Sequence, residues 1–192
     1  MGRVGGMGSV GKRLFLAVDI DEHVRGAIGR ISSDLQQHIG PHMRATWVKA
    51  HRMHLTLHFF GEADAATEER LRAALVDPIA QEPFDLSFDG IGCFPEKGAP
   101  RVLWLGIRDG ASELTRTQQI LAVRLSVTDP AFKPHLTLAR IRDRVRRGQI
   151  GEITSIPASA GPCRIDRVTL YESRLSPAGP AYLRLAGTSL TP

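Results

Sequence analysis

The tetrapeptide His-Leu-Thr-Leu occurs twice in this chain of 192 residues, at 54–57 and at 135–138. Each copy closes a longer repeat, because a strand-like segment that opens with arginine and then a helix-like segment precede it. The first repeat covers residues 13–57 and opens RLFLAV, and the second covers residues 101–138 and opens RVLWLG. A strand-helix-strand unit that occurs twice predicts two equivalent lobes facing one another.

Side chains alternate between the two faces of a strand, so the motif separates apolar from polar groups. The first copy is predicted to bury Leu55, Leu57 and Phe59 and to display His54, Thr56 and His58. The second copy is predicted to bury Leu136 and Leu138 and to display His135 and Thr137. Two such strands across a cleft would place two imidazoles and two hydroxyls around one small anion.

This set of groups fits metal-free hydrolysis of a phosphodiester. A neutral imidazole can activate water, a protonated one can donate to the leaving oxygen, and the hydroxyls can bind the non-bridging oxygens. A single histidine on a strand is more often a structural residue, so it is the second copy that favours catalysis. The repeat alone leaves the acid and base roles of His54 and His135 interchangeable.

The composition predicts a globular chain in the cytoplasm. Apolar residues make up 42% and charged residues 23%, no stretch approaches 18 consecutive apolar residues, and the opening residues lack the apolar run of a signal peptide. Cys93 and Cys163 stand far apart, which disfavours a disulfide framework or a cysteine zinc site. We therefore expect no membrane association and no cofactor.

Positive charge is unevenly distributed along the chain. The net charge is +5, and 21 of the 25 basic residues are arginine. Residues 1–52 and 133–174 are basic, whereas residues 53–132 are acidic. Because the planar guanidinium binds phosphate well, this pattern favours a phosphorylated or polyanionic ligand. The alternative is an arginine-rich surface that is merely solvated.

The remaining pattern alternates strand and helix signals. Strands are predicted at 13–18, 47–49, 54–60, 84–88, 101–107, 135–140, 165–171 and 182–185, and helices around 24–35, 68–75 and 112–125. Asp19 and Asp21 are candidate caps of the first helix, and Ser112 is the candidate cap of the third. Gly61 is predicted to close the third strand, and residues 90–100 are predicted to form a Gly/Pro loop.

Five segments resemble one known family. They are RLFLAVDI, WVKAHRMHLTLHFFGE, PRVLWLGI, FKPHLTLAR and LYESRLSPAGPAY, in that order between about residues 13 and 185. The chain resembles the two-histidine phosphoesterase superfamily, whose mark is the doubled HxTx motif, and within it the bacterial RNA 2′,3′-cyclic phosphodiesterases, also called 2′-5′ RNA ligases. The resemblance implies an α+β bilobal fold, in which two pseudo-symmetric lobes of antiparallel sheet, with helices outside, surround a central cleft. We expect one domain over residues 13–190 after a Gly-rich, disordered segment at 1–12.

The resemblance also implies the roles of the motif residues. His54 is expected to be the proton donor and His135 the proton acceptor, with Thr56 and Thr137 binding the phosphate.

Further candidates lie outside the motifs. Arg140 and Arg101 are candidate phosphate ligands, with a surface salt bridge as their alternative role. Phe15 and Tyr171 are candidates for stacking a nucleobase, with core packing as the alternative. The arginine-rich run at 140–147 either follows an RNA backbone or is a solvated face.

The first motif offers a candidate metal site, because His51, His54 and His58 follow one another at short spacing. A strand would direct His51 to the face opposite His54, and no acidic residue lies within the run. We therefore expect no metal.

The prediction is an RNA 2′,3′-cyclic phosphodiesterase that produces a 2′-phosphomonoester, with ATP-independent 2′-5′ ligation as related chemistry. The expected partners are RNA with 2′,3′-cyclic phosphate ends or cyclic nucleotides, and the expected state is a monomer. One alternative is hydrolysis of another small cyclic phosphate, such as ADP-ribose 1″,2″-cyclic phosphate. The other is an RNA-end-binding module without turnover, which would not need both imidazoles.

Overall fold

The computed structural model describes residues 11–39, 43–128, 132–142, 147–177 and 179–192. The segment predicted to be disordered, 1–12, lies outside the described residues except for Gly11 and Lys12, and Lys12 opens the first strand. The elements in chain order are β1 Lys12–Asp19, α1 Glu22–Ile39, β2 Ala45–Trp47, a 3₁₀ turn Ala50–Arg52, β3 His54–Ala63, α2 Ala65–Ala73, β4 Ile79–Ala80, β5 Phe84–Phe94, β6 Val102–Asp109, α3 Ala111–Leu125, β7 Leu136–Ile141, α4 Arg147–Thr154, β8 Ser159–Ile165, β9 Arg167–Arg174 and β10 Ala181–Thr191.

The described strands form two five-stranded sheets, which we call the first and second lobes. The first has the order β3-β1-β9-β10-β4 and the second the order β2-β7-β6-β5-β8. All neighbouring strands are antiparallel except β4, which pairs in parallel with β10. In each lobe the HLTL strand lies beside the strand that opens its repeat, β3 beside β1 and β7 beside β6. The predicted bilobal α+β fold is confirmed.

The apolar positions of the repeat form part of a continuous core. Leu14, Leu16 and Val18 on β1 and Leu55 and Leu57 on β3 are buried in it, each no more than 1% exposed. Helix α1 adds Val24, Ile28 and Leu35, which recur at the spacing of one helix face. Because one face of each motif strand is fixed in this core, the other face is left for the site.

Two helix starts show why one cap was predictable and another was not. Asp21 accepts a hydrogen bond at Oδ1 from the backbone N–H of Val24 at 2.8 Å, as an aspartate cap of α1 should. Helix α3 instead begins after Gly110, so the prediction of a Ser112 cap is wrong. Gly110 has φ +80°, and a Cβ there would lie 2.4 Å from the carbonyl oxygen of Asp85. Close packing against β5 therefore requires glycine at this start.

Strand β3 contains a bulge that breaks the predicted alternation of buried and exposed side chains. Thr56 and His58 oppose consecutive residues of β1, so Leu57 is an extra residue in the ladder. An extra residue reverses which face the following side chains occupy. Phe59, which was predicted to be buried, is consequently 51% exposed. It lines the cleft described below, whereas His58 does not.

At two places where a strand was predicted to end, the strand continues. Strand β3 passes through Gly61, which has φ +72°, and ends at Ala63. Strand β5 passes through residues 90–94, which were predicted to begin a loop. Gly92 in this stretch packs against an indole ring, because a Cβ there would lie 2.1 Å from Cζ2 of Trp104. Glycine thus marks close packing here, where a loop was predicted.

Four elements had no prediction from the sequence, namely the 3₁₀ turn Ala50–Arg52, β4, α4 and β8. No helix in the described part of the chain combines the length and the apolar character needed to cross a membrane.

Candidate active site

A cleft of about 570 Å³ is lined by both HLTL strands. The first lobe contributes Arg13, Phe15, His54, Thr56, Phe59, Ser173 and Tyr182, and the second contributes Thr46, Trp47, His135, Thr137 and Arg140. Connecting segments supply Val48, Arg52, Met53, Arg142, Leu175 and Pro180. The two histidines and the two threonines of the repeat therefore meet in one cavity.

The same hydrogen bond fixes both imidazoles. Nδ1 of His54 lies 2.8 Å from the carbonyl oxygen of Arg52, and Nδ1 of His135 lies 2.7 Å from that of Lys133. In each case the acceptor is two residues before the histidine. Because a carbonyl only accepts, Nδ1 carries the proton in both rings. Nε2 is then the nitrogen that can take up or release a proton.

Aromatic side chains of the first lobe enclose His54. Phe15 stacks on the imidazole with ring centroids 4.8 Å apart, and Tyr182 meets it edge-on at 5.0 Å. Strands β3 and β9 flank β1 on opposite sides, and the ring of Tyr171 on β9 stacks on Phe15 at 5.3 Å. Phe15 is only 3% exposed between these two rings. This packing leaves the phenyl ring little face for a nucleobase, and it fixes the plane of the His54 ring.

A carboxylate lies next to His54. Asp19 is its cross-strand partner in the pairing of β1 with β3. The Asp19 carboxylate accepts hydrogen bonds from the hydroxyl of Tyr171 at 2.6 Å, from Nη2 of Arg184 at 2.9 Å and from Oγ1 of Thr169 at 3.3 Å. Burial lowers the pKa of His54 below its ordinary value, while the backbone hydrogen bond and the negative charge of Asp19 act to raise it.

The surroundings of His135 differ from those of His54. Phe94 meets its ring edge-on at 5.0 Å, and Trp104 does so at 6.4 Å. Gly106 follows Leu105, the cross-strand partner of the first motif leucine, just as Asp19 follows Val18 in the other lobe. The second lobe therefore has no carboxylate at the position that Asp19 occupies in the first.

The threonines flank the histidines on the same face of each motif strand. Thr56 lies opposite Ala17 in the ladder, and Thr137 lies opposite Trp104. Thr56 is exposed in the cleft and Thr137 is half-buried. Both hydroxyls line the cavity into which the imidazoles face. They are placed to donate hydrogen bonds to an anion bound between the lobes.

Among the described residues that line the cleft there are four arginines and no carboxylate. Arg140 lies on β7, two residues after the second motif, and Arg142 follows it and donates from Nε to Oγ1 of Thr46 at 3.1 Å. Arg13 lies on β1, with its guanidinium carbon 5.5 Å from the centre of the Phe59 ring. Arg52 is the fourth. A cleft with this charge attracts an anionic ligand.

Two of the predicted site residues lie outside the cleft lining. Arg101 is exposed on the segment before β6, where its carbonyl accepts a hydrogen bond from the backbone N–H of Ile141. Tyr171 lies behind Phe15, and its hydroxyl donates a hydrogen bond to the Asp19 carboxylate. The arginine-rich run is split, because Arg140 and Arg142 line the cleft while residues 143–146 lie outside the described part.

The histidines considered as metal ligands are separated by the fold. His51 is exposed on the 3₁₀ turn Ala50–Arg52, His54 lines the cleft, and His58 packs against Phe60 at 4.6 Å. Within the described ranges, no three His, Cys, Asp or Glu side chains come together as a candidate metal centre.

Several residues that line the cleft were not predicted from the sequence, among them Arg13, Arg52, Phe59 and Tyr182. The repeat did contain a signal for one of them. A basic residue precedes each motif histidine by two positions, Arg52 before His54 and Lys133 before His135. These are the residues whose carbonyls bind the imidazoles. The others depend on strand order and on the bulge, which the sequence pattern did not indicate.

A sequence model described as the 2′-5′ RNA ligase superfamily matches residues 20–176. The chain belongs to this superfamily. The RNA 2′,3′-cyclic phosphodiesterase of Methanothermobacter thermautotrophicus is 33% identical over 178 residues, covering 88% of this chain and 94% of the relative. The enzyme of the same name from Archaeoglobus fulgidus is 32% identical over 176 residues, covering 88% and 96%.

Solved structures give the same assignment. The crystal structure of E. coli LigT complexed with 3′-AMP is similar with a TM-score of 0.72 and 29% identity. The match covers 96% of this chain and 100% of that one. The predicted family is therefore confirmed for this member of the 2′-5′ RNA ligase superfamily.

Proposed function

We propose that this superfamily member hydrolyses RNA 2′,3′-cyclic phosphate ends to 2′-phosphomonoesters. The observation that carries the proposal is the pair of imidazoles, each fixed by the same hydrogen bond, in a cleft with four arginines and no carboxylate among its described lining residues. The relatives described above are named for this activity, and LigT has been crystallised with a nucleotide. The predicted class, a phosphodiesterase, agrees with their names.

The chemical step follows from two proton carriers on opposite sides of one phosphorus atom. Nε2 of His135, when neutral, takes a proton from water, and the water oxygen bonds to phosphorus. The bond from phosphorus to the ribose 3′ oxygen breaks, and Nε2 of the His54 imidazolium donates its proton to that oxygen. The product retains the phosphate on the 2′ oxygen. Proton exchange with solvent then restores both imidazoles.

The threonines and arginines stabilise the charge on the phosphoryl oxygens. The hydroxyls of Thr56 and Thr137 donate hydrogen bonds to the non-bridging oxygens, where charge grows in the transition state. Arg140 supplies a guanidinium from the second lobe, and Arg13 and Arg52 supply two from the first-motif side of the cleft. Arg101 is retained as a phosphate ligand only for RNA that extends beyond the cleft.

The role of proton donor at His54 depends on its neighbours. Burial favours the neutral imidazole in the free protein, which by itself would suit a base. Asp19 opposes that effect, and a bound phosphodiester adds a second negative charge that favours the imidazolium. We therefore retain His54 as the donor and His135 as the acceptor, with Phe15 and Tyr171 positioning the His54 ring.

An assay with two substrates tests the proposed hydrolysis of 2′,3′-cyclic phosphates. The protein is incubated with 2′,3′-cyclic AMP and with an RNA oligonucleotide that ends in a 2′,3′-cyclic phosphate, and the position of the product phosphate is determined by NMR. We expect 2′-phosphate from both substrates. Tight binding of the RNA end without turnover would identify a binding module instead, and exclusive turnover of another cyclic phosphate would identify a different substrate. A monomeric state and a cytoplasmic location remain part of the proposal.

A further inference from the structure

The aromatic ring that meets each motif histidine edge-on differs between the two lobes. Tyr182 meets His54 with ring centroids 5.0 Å apart and an interplanar angle of 89°. Phe94 meets His135 with ring centroids 5.0 Å apart and an angle of 88°. The second lobe therefore achieves the same packing against an imidazole with a ring that has no hydroxyl, so this packing does not require the hydroxyl of Tyr182.

The two rings also border different spaces. Tyr182 lines the cleft between the lobes, whereas Phe94 lines a second groove of about 560 Å³ that adjoins His135. Of these two rings, only the one that lines the cleft carries a hydrogen-bond donor.

The hydroxyl of Tyr182 differs from that of its neighbour Tyr171 in having no protein partner. The two tyrosine rings lie 6.5 Å apart in the aromatic group around His54. The Tyr171 hydroxyl donates to the Asp19 carboxylate at 2.6 Å, while the Tyr182 hydroxyl forms no hydrogen bond with any residue in the described part of the chain. Because half-buried polar groups are usually hydrogen-bonded, the hydroxyl of the half-buried Tyr182 is available to a ligand.

The charges near Tyr182 favour an anionic oxygen as that ligand. Arg52 and Arg140, which line the cleft and are proposed phosphate ligands, are the charged groups that act on its hydroxyl. The pKa of Tyr182 is raised, because the effect of burial exceeds the opposing effect of these two guanidinium groups. The hydroxyl is therefore protonated at neutral pH and can donate to an oxygen that the arginines attract.

We infer that the Tyr182 hydroxyl donates a hydrogen bond to one non-bridging oxygen of the bound phosphate, an inference that rests on the proposed function. It would be a third hydroxyl at the phosphoryl group, beside those of Thr56 and Thr137. The repeat supplies one threonine from each lobe, whereas Tyr182 comes from β10, which lies outside the repeat. Because charge on the phosphoryl oxygens grows in the transition state, this contact favours the reaction more than it favours substrate binding.

Tyr182→Phe removes the hydroxyl and keeps the ring that packs on His54. It should lower kcat/KM for 2′,3′-cyclic AMP about 10- to 100-fold, with most of the loss in kcat. The Tm should not fall, since the variant loses no hydrogen bond of the free protein. Wild-type kinetics in this variant would overturn the inference.

Sulfur substitution tests whether the contact is made to the phosphate. Adenosine 2′,3′-cyclic phosphorothioate exists as two diastereomers, in which sulfur, a weak hydrogen-bond acceptor, replaces one or the other non-bridging oxygen. The diastereomer with sulfur facing Tyr182 already lacks most of this hydrogen bond in the wild-type protein. The ratio of the oxygen rate to the sulfur rate should therefore fall about 5- to 10-fold in Tyr182→Phe for one diastereomer and stay the same for the other. Equal changes for both diastereomers, or no change for either, would contradict the inference.

The matched control is Tyr171→Phe, which removes the other tyrosine hydroxyl from the same aromatic group. That hydroxyl is bonded to Asp19, so its loss should change the rate through His54 and leave both oxygen-to-sulfur ratios at their wild-type values. If Tyr171→Phe changed the ratio for the same single diastereomer, the effect would come from a displaced His54 ring and the proposed contact would be wrong.

A binding measurement separates this inference from the proposed hydrolysis. Calorimetric titration with 2′-AMP requires no turnover, and Tyr182→Phe should raise the Kd about 3- to 10-fold, because the monoester phosphate carries more charge on its oxygens than the cyclic diester. If the wild-type protein showed this difference in Kd but did not turn over the cyclic substrate, the hydrolase proposal would be wrong and the Tyr182 contact would stand. If turnover occurred but Tyr182→Phe matched the wild type in Kd, kcat/KM and sulfur ratios, the contact would be wrong and the hydrolase proposal would stand.

Discussion

The two lobes hold their histidines in the same way and surround them differently. His54 opens its motif strand and His135 directly precedes the other, and in each lobe a carbonyl two residues before the histidine fixes Nδ1. Around His54 the first lobe adds stacked aromatic rings and the carboxylate of Asp19. Around His135 the second lobe has Gly106 at the matching position and a groove beyond the ring.

This comparison separates what repetition can supply from what it cannot. A repeated backbone unit supplies two proton carriers in one cleft, and two identical environments would give them the same proton affinity. Acid-base catalysis needs one imidazole protonated and the other neutral at the same pH. We therefore expect the differences between the two lobes to decide which histidine is the acid and which is the base.

The largest expected effect is the loss of either proton carrier. His54→Ala and His135→Ala should each lower kcat/KM by roughly 10² to 10⁴-fold, because a proton transfer in the transition state is lost. Turnover of 2′,3′-cyclic AMP measures the effect. His51→Ala is the matched control, since His51 is exposed outside the cleft and its removal should leave the rate unchanged. Wild-type rates in both cleft variants would place the chemistry elsewhere.

A smaller loss is expected at the hydroxyls that the two lobes share. Thr56→Ala and Thr137→Ala should each lower kcat/KM by about 10- to 1,000-fold, because each removes one donor to the phosphoryl oxygens. The serine variants retain the hydroxyl and should recover most of the rate. The free energy of unfolding should change little for Thr56, which is exposed. Equal loss in the alanine and serine variants would indicate that the methyl group matters instead of the hydroxyl.

The sequence pattern predicted the four motif residues because they precede the point where strand periodicity breaks. His54 and Thr56 lie before the extra residue Leu57, so simple alternation places them correctly. Phe59 lies after it, and the same rule placed it in the core. A bulge depends on how one strand pairs with another, and no local pattern around Leu57 predicted it.

Other parts of the site depend on contacts between distant segments. Asp19 becomes a neighbour of His54 only through the pairing of β1 with β3, and Tyr182 reaches the cleft from the last strand. From the sequence, Asp19 was predicted only as a candidate cap of the first helix. Composition indicated an anionic ligand but did not show which arginines face the cleft, because strand order decides that.

Asp19→Asn tests whether the unequal surroundings assign the roles. Removing this negative charge favours the neutral form of His54, because Asp19 acts to raise its pKa. If His54 is the donor, kcat/KM should fall roughly 3- to 10-fold at neutral and higher pH and change little at low pH. If His54 were the acceptor, the variant would gain activity at low pH and lose none above it.

The control for this variant changes the opposite charge. Arg184 donates to the Asp19 carboxylate, and its side chain is 54% exposed. Arg184→Gln removes a positive charge near His54 and should shift the pH profile in the direction opposite to Asp19→Asn. A loss of the same sign in both variants would indicate that the hydrogen-bond network, and not its charge, supports His54.

The smallest expected effect is that of a chelator, which should be none. In the two-histidine mechanism the nucleophile is water activated by His135. In a metal-dependent phosphodiesterase the nucleophile is a metal-bound hydroxide, which chelation removes. The cleft presents hydroxyls at Thr56 and Thr137 where a divalent ion would need carboxylates, and His51 is held apart from His54 by the 3₁₀ turn. The measurement is kcat/KM for 2′,3′-cyclic AMP from pH 5 to 9, with and without excess EDTA. The profile should be a bell whose two limbs belong to the imidazole pair and are the same in both conditions. If EDTA abolished turnover and a divalent ion restored it, the difference between the lobes would have to be explained as a metal site at the first motif.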